Sequence, residues 1–334
     1  MRGLKHRLGF AGRKLARMAL LLVGVSLAAF LLMYASPLDP LQTNIGQAAL
    51  GAMSPEQREL LQAYWGADTP PAERYINWLT GAVQGEWGDS LLYRRPVLDV
   101  IGERLASSAG LLAAAWLLSG LLGFGLGVLA GACRGRLPDR LIRGYCLVIS
   151  STPAFWLAIL LLLIFSVWLG WLPVGLSAPI GVDTSAVTWL DRLRHAVLPA
   201  LTLSITGVAN IALHTREKMI DVLSSDYVLF ARARGEGAAA IVWRHGLRNV
   251  ALPALTLQFA SISEIIGGSV LVEQVFSYPG LGQAAVTAGL GGDLPLLLGV
   301  TVITAALVFA GNLVADLLYG AIDPRIRRGA ARGL

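Results

Sequence analysis

The residues best suited to hold a metal or attack a substrate are four histidines, His6, His195, His214 and His245, and two cysteines, Cys133 and Cys146. The histidines are scattered, so no metal site is readable. The cysteines flank a short basic loop at the ends of two apolar runs. Their spacing fits no zinc motif and two cysteines make no disulfide framework, so they read as inert thiols near helix ends. No carboxylate pair or nucleophile–base arrangement suggests an enzyme. The three lysines, Lys5, Lys14 and Lys218, complete no G-x-x-x-x-G-K-[ST] phosphate loop, so energy must come from a partner.

Three carboxylates sit inside apolar runs: Glu264, Glu273 and Asp316. Charge at membrane depth is costly and marks a functional candidate. Asp316 falls near a run's end, where it reaches water. Glu273 lies near the outer end of its run and is placed to organise an outer gate or loop. Glu264 is mid-run beside Gly267 and Gly268 and, with Asn210 on the preceding run, is a candidate for lining a path. A structural hydrogen bond between helices explains Glu264 equally well.

The elements that must position these groups are membrane helices. The chain of 334 residues is 55% hydrophobic and 14% charged, where a soluble domain carries about 25% charge. A bilayer crossing takes about 20 apolar residues. Six runs qualify, near residues 18–35, 105–132, 145–172, 196–213, 251–275 and 296–319. The fourth is the weakest, diluted by Thr202, Ser204, Thr206 and Asn210. The first follows a basic start and resembles a secretory signal, but its length and the lack of an A-x-A site favour a retained helix.

The net charge of +6 is not a nucleic-acid face, because the basic residues cluster between apolar runs. Arg134, Arg136, Arg140 and Arg143 lie in one alternate connection, and Arg216, Lys218, Arg232, Arg234, Arg244 and Arg248 in the next. This asymmetry puts residues 1–17, the loop 214–252 and residues 321–334 in the cytoplasm, and 36–104 outside. The expected fold is all-α, integral to the membrane, with six spans and both termini inside.

Ser119, Gly123, Gly127, Gly131 and Gly135 recur every four residues and stack on one helix face, which lets another helix approach closely. Packing within the subunit is favoured over contact with a second one. The outer segment is broken by six prolines, and Glu73–Leu92 is expected to form a short helix along the membrane surface. In the inner loop, Ser224 and Ser225 before Asp226 suit a helix start. Helix formers run to Arg234, Gly235 and Gly237 interrupt, and Ala238–Arg244 resumes a helix.

That inner loop resembles the EAA loop of ABC importer permeases of the dipeptide, oligopeptide and nickel class. The residues are Asp226-Tyr227-Val228-Leu229-Phe230-Ala231-Arg232-Ala233-Arg234-Gly235, then Arg244-His245-Gly246-Leu247-Arg248-Asn249 and Pro253. Ser151, Pro153, Phe155 and Trp156, then Leu172-Pro173 and Gly175, match the start and exit of the third span. Glu273, Phe276, Pro279, Gly280, Leu281 and Gly282 resemble the E-x-x-F-x-x-P-G-x-G signature, and Asp323-Pro324-Arg325 the usual terminus. Phe230 departs from a usual small polar residue, and Glu236-Gly237 replaces a common Leu-Ser pair.

The resemblance implies a type I permease core over residues 105–320 in a bacterial inner membrane. It implies that the loop docks a coupling helix on an ATPase subunit through Asp226, Tyr227, Ala231, Arg232, Ala233, Arg234, Gly235, His245, Arg248 and Asn249. The implied partners are a second, paralogous permease, two ATPases that carry ATP and Mg2+, and an outer solute-binding protein; this chain binds no cofactor itself. Peptides are the default solute, with nickel or a metal chelate as the other option. That option is suggested by Asn312–Leu318 with Asp323–Arg328. An ion-coupled secondary transporter is the rival class, but it needs coupling charges in several spans and repeated halves, which this chain does not display.

Overall fold

The computed structural model describes residues 2–37, 40–65, 69–183 and 185–322. The expected terminal Asp323-Pro324-Arg325 and the basic cluster after it lie outside the described residues. Helix α1 (Arg2–Tyr34) is followed by α2 (Pro40–Ile45), α3 (Gln47–Ala52), α4 (Pro55–Tyr64) and α5 (Pro71–Gln84). Gly85 takes φ +92° and ends α5. The surface helix expected over Glu73–Leu92 is therefore shorter. Its last residues instead lead into β1 (Asp89–Ser90), which pairs antiparallel with β2 (Arg95–Pro96) beyond it.

Next come α6 (Val97–Ala132), α7 (Leu137–Ser150) and α8 (Ala154–Leu162), which widens into a π-helical stretch over Leu163–Trp168. They precede α9 (Trp189–Leu223), α10 (Asp226–Ala233) and α11 (Ala238–Ile241), with a second π stretch at Val242–Gly246. The chain ends with α12 (Leu247–Ala260), α13 (Ile262–Val275), α14 (Leu281–Gly291) and α15 (Leu294–Ile322).

Among the described residues, four helices are long and apolar enough to cross a membrane: α1 over Ala16–Tyr34, α6, α9, and α15 over Leu294–Asp316. The count rises to six if each of two bent pairs is one span. One pair is α7 with α8, bent 105°; the other runs from α11 through α13, bent 46° after α12. The third run, expected as one helix over 145–172, is thus broken at Ser151–Pro153. Pro153 disfavours helical geometry in the residue before it. The Ser151 and Thr152 hydroxyls bond back to the Leu147 and Val148 carbonyls, closing α7. At the milder bend, Ser261 Oγ donates to the Gln258 carbonyl, a back-bond that bends helices.

The contacts divide into two compact units. One comprises residues up to Ser108 and Pro279–Phe309. In it Phe30 of α1, Tyr75 of α5, and Leu294 and Leu298 of α15 form one cluster, and Val97, Ile101, Ala284, Ala288 and Leu296 form a second. Its buried carboxylate, Asp293, accepts bonds from Ser90 Oγ (2.5 Å), Leu92 N (3.0 Å) and Leu296 N (3.2 Å). These donors satisfy a charge that would otherwise be costly to bury.

The other unit comprises the described residues of Ala109–Tyr278 and those from Ala310 to Ile322. Helix α9 is its hub, with α7, α8, α12 and α13 all packed on it. This explains the dilute fourth run. An interior helix meets other helices rather than lipid, and its hydroxyls bond to its own carbonyls: Thr202 to Leu198, Ser204 to Leu201 and Thr206 to Leu203. The small-residue ladder of α6 lies along α9. A Cβ on Gly123 would fall 2.8 Å from Ile211 Cβ, on Gly127 2.5 Å from Thr215 Cβ, and on Gly131 2.6 Å from Met219 Cβ. Ser119 meets Gly207 in the same way. The ladder therefore packs within the subunit, as the spacing suggested. Gly135 leaves the pattern: it has φ +78° and only open space around its Cβ position.

Both partners of the ladder advance in the same direction by four residues, so α6 and α9 run parallel. The chain must return between them, and α7 with α8 makes that return.

Candidate functional site

The arginine-bearing inner loop folds as a short helix, a glycine break and a second helix. Helix α10 begins after a tight turn at Ser225. The two serines do not cap it as expected. Ser224 Oγ bonds to the Ile220 carbonyl and Ser225 Oγ to the Val222 carbonyl, because the end of α9 offers free carbonyls closer at hand. One face of α10 is held down: Val228 and Ala231 are buried with Ile241, against Val222 and Leu223.

The opposite face is open. Asp226, Tyr227, Arg232, Ala233 and Arg234 are exposed, and Leu229 and Phe230 are 65% and 72% exposed. Two large apolar side chains thus stand exposed on an eight-residue helix, with Asp226, Arg232 and Arg234 exposed beside them. The helix ends where Gly235 takes φ +83°. Gly235 N bonds to Arg232 O at 2.9 Å and Glu236 N to Ala231 O at 3.1 Å, the paired closure of a Schellman motif. Only glycine adopts that backbone without strain.

The returning arm is tied back to α10. His245 Nε2 lies 3.2 Å from Glu236 Oε2, and its ring packs against Tyr227 at 6.3 Å between centroids. Asn249 Nδ2 donates to the His245 carbonyl at 2.7 Å. Arg248 is exposed on the same arm. Tyr227, His245 and Asn249 are therefore gathered together. Asp226, Arg232 and Arg234 are presented outward, apart from a 3.4 Å bond from Arg232 to the Leu223 carbonyl.

The candidate site residues did not include Glu236, the partner of His245, or Met219. Fully buried Met219 closes on both Gly131 of α6 and Gly246 of the arm. An i, i+4 ladder signals one such contact; nothing in the spacing signals a methionine serving two helices.

The candidate path residues separate. Asn210 and Glu264 are exposed on α9 and α13, two helices packed on each other, and His214 Nδ1 lies 2.9 Å from the Asn210 carbonyl. Glu273 is fully buried, so it sits in helix packing and not on an open face. Beyond it the chain turns, with Tyr278 N bonded to the Glu273 carbonyl at 2.8 Å. There the exit of the third run meets the end of the fifth. Leu176 N donates to the Phe276 carbonyl at 2.8 Å, His195 Nδ1 lies 2.6 Å from the Gly175 carbonyl, and a Cβ on Gly175 would collide with the Phe276 carbonyl oxygen. Two motifs separated by a hundred residues in sequence thus form one clamp.

Residues 123–328 match the family described as binding-protein-dependent transport system inner membrane component. The chain is 35% identical to the oligopeptide transport system permease protein AppB of Bacillus subtilis, over 92% of this chain and 95% of that protein. It is 36% identical to the glutathione transport system permease protein GsiC of Escherichia coli, over 91% and 94%. A putative peptide permease of Brucella ovis is 35% identical, over 92% and 95%. With a match over most of its length and relatives aligned almost end to end, the chain belongs to the inner-membrane permease family of binding-protein-dependent ABC importers.

Proposed function

We propose that this permease subunit supplies half of the translocation pore of an ATP-driven importer for peptides. A second, paralogous permease supplies the other half, two ATPase subunits drive the cycle with ATP and Mg2+, and a solute-binding protein delivers the cargo from outside. The observation that carries this reading is the exposed Leu229–Phe230 face of α10, flanked by Arg232 and Arg234 and held on a scaffold with its other face buried. A helix so presented offers an apolar anchor and basic rim to a partner, the arrangement of an interface hot spot.

In this reading the ATPases move α10, α10 moves α9, and α9 carries with it the helices packed on it. Asn210 and Glu264 line the wet side. Parallel α6 and α9, with a return between them, support six spans with α10 and residues 214–252 in the cytoplasm. Peptides are favoured over nickel because the relatives named above are peptide, oligopeptide and glutathione permeases.

The test is uptake by proteoliposomes holding this chain, its partner permease and both ATPases, with the binding protein outside. ATP-dependent accumulation of a short labelled peptide supports the reading. Uptake driven by an ion gradient and indifferent to ATP would replace it with a secondary transporter.

A further inference from the structure

Arg216 of α9 and Asp139 of α7 form a two-pronged ion pair, with Nε 2.5 Å from Oδ1 and Nη2 2.9 Å from Oδ2. Gly135 N donates to the same Oδ2 at 2.8 Å, and Asp139 is 1% exposed. Three donors therefore fix one buried carboxylate at the corner between α6 and α7. Burying such a pair adds little net stability compared with apolar residues of similar size. What the planar guanidinium fork supplies is a fixed register and angle.

Two packed apolar faces can slide past each other; a two-pronged pair cannot. Along α7, Cys146 packs on Val208, Ala209 and Ala212 of α9, a greasy contact of the sliding kind. Asp139–Arg216 is the polar lock on it. Its place on α9 is also telling. From Arg216 the helix runs to Leu223, then passes into α10 through one tight turn, with Ser224 N bonded to Ile220 O and Ser225 N to Val222 O. Val228 of α10 is buried with Val222 and Leu223. The end of α9 and α10 are thus one stiff piece, and Asp139 holds the first turn of α7 to it; the 105° bend into α8 lies at the other end of α7.

We propose that Asp139 is a positioning residue whose paired bond to Arg216 is the joint that passes movement of α10 into α7 and α8. This rests on the importer reading above. The joint makes no contact with solute or nucleotide; it sets how much of the α10 displacement reaches the membrane helices.

The test uses the full assembled importer in proteoliposomes and reads solute taken up per ATP hydrolysed, normalised to assembled complex. Asp139→Asn is expected to keep ATP hydrolysis while uptake per ATP falls about tenfold, within the usual span of coupling between sites. Arg216→Lys keeps the charge but loses the fork, so it inserts normally, and its uptake per ATP is expected to fall about threefold. If Asp139→Asn does not assemble, Arg216→Lys decides. Wild-type uptake per ATP in Arg216→Lys, or in an assembled Asp139→Asn complex, overturns the proposal. A wild-type complex with no ATP-driven uptake instead removes the importer reading itself.

Discussion

Met219 fills the notch that Gly246 leaves open: a Cβ on Gly246 would fall 2.9 Å from the methionine sulfur, and the same side chain closes on Gly131. One side chain on α9 thereby joins α6 to the arm that returns from the exposed helix. Met219→Ala removes that plug and should cost about 3 kcal/mol, the usual penalty for emptying a buried site. A clear drop in the thermal unfolding midpoint in detergent checks it. Gly246→Ala should be milder, because the atoms it meets are the flexible end of the methionine. An unchanged midpoint for Met219→Ala would show that the contact is not a packed one.

The ladder on α6 gives a matched comparison within one helix. Gly127 faces Thr215 and the Ala212 carbonyl at distances that leave no room for a side chain, whereas nothing lies within 4 Å of a Cβ on Gly125. Gly127→Leu should therefore destabilise the protein by about 2 kcal/mol or more, the scale of overpacking, and Gly125→Leu should be close to neutral. Thermal unfolding of the two variants side by side measures the difference. Equal effects would mean that α6 and α9 do not pack through the ladder.

Much of this was legible in the residues, and the failures have physical causes. Apolar runs located the long helices because lipid and water sort side chains strongly. The helix–glycine–helix plan of the inner loop was readable because Gly235 sits where a left-handed residue is needed. The 105° bend at Ser151–Pro153 was hidden inside a run that is apolar on both sides of the break, so hydropathy alone sees one span. Helix α6 starts at Val97, eight residues before the apolar run, because Asp99, Glu103 and Arg104 belong to a helical extension with no hydropathy signal. The Asp139–Arg216 pair joins residues 77 apart in the sequence, beyond any local pattern. Glu236, read as a departure from the family pattern, proves to be the partner of His245.

The two glycines of the loop are not equivalent. Gly235 has φ +83°, while Gly237 has φ −69° at the start of α11. A β-branched residue at Gly235 costs about 1–2 kcal/mol in that backbone and should tilt α10. Gly235→Val is expected to insert normally yet lower uptake per ATP several-fold, with Gly235→Asn milder and Gly237→Ala at the wild-type level. Unchanged coupling in Gly235→Val would remove the orientation of α10 from the account.

The membrane topology can be read with reporters. A fusion near Gly237 should score cytoplasmic, and one near Asp183, in the loop between α8 and α9, should score external. A periplasmic score at Gly237 would invert every assignment of the inner loop.

The most direct measurement is a site-directed cross-link from the exposed face of α10. With Phe230→Cys in the assembled importer, and the wild-type chain with its Cys133 and Cys146 as control, a thiol cross-linker should join this chain to the partner ATPase in high yield, and the yield should change when ATP is added. An assembled, ATP-hydrolysing complex in which position 230 never captures the ATPase would contradict the account.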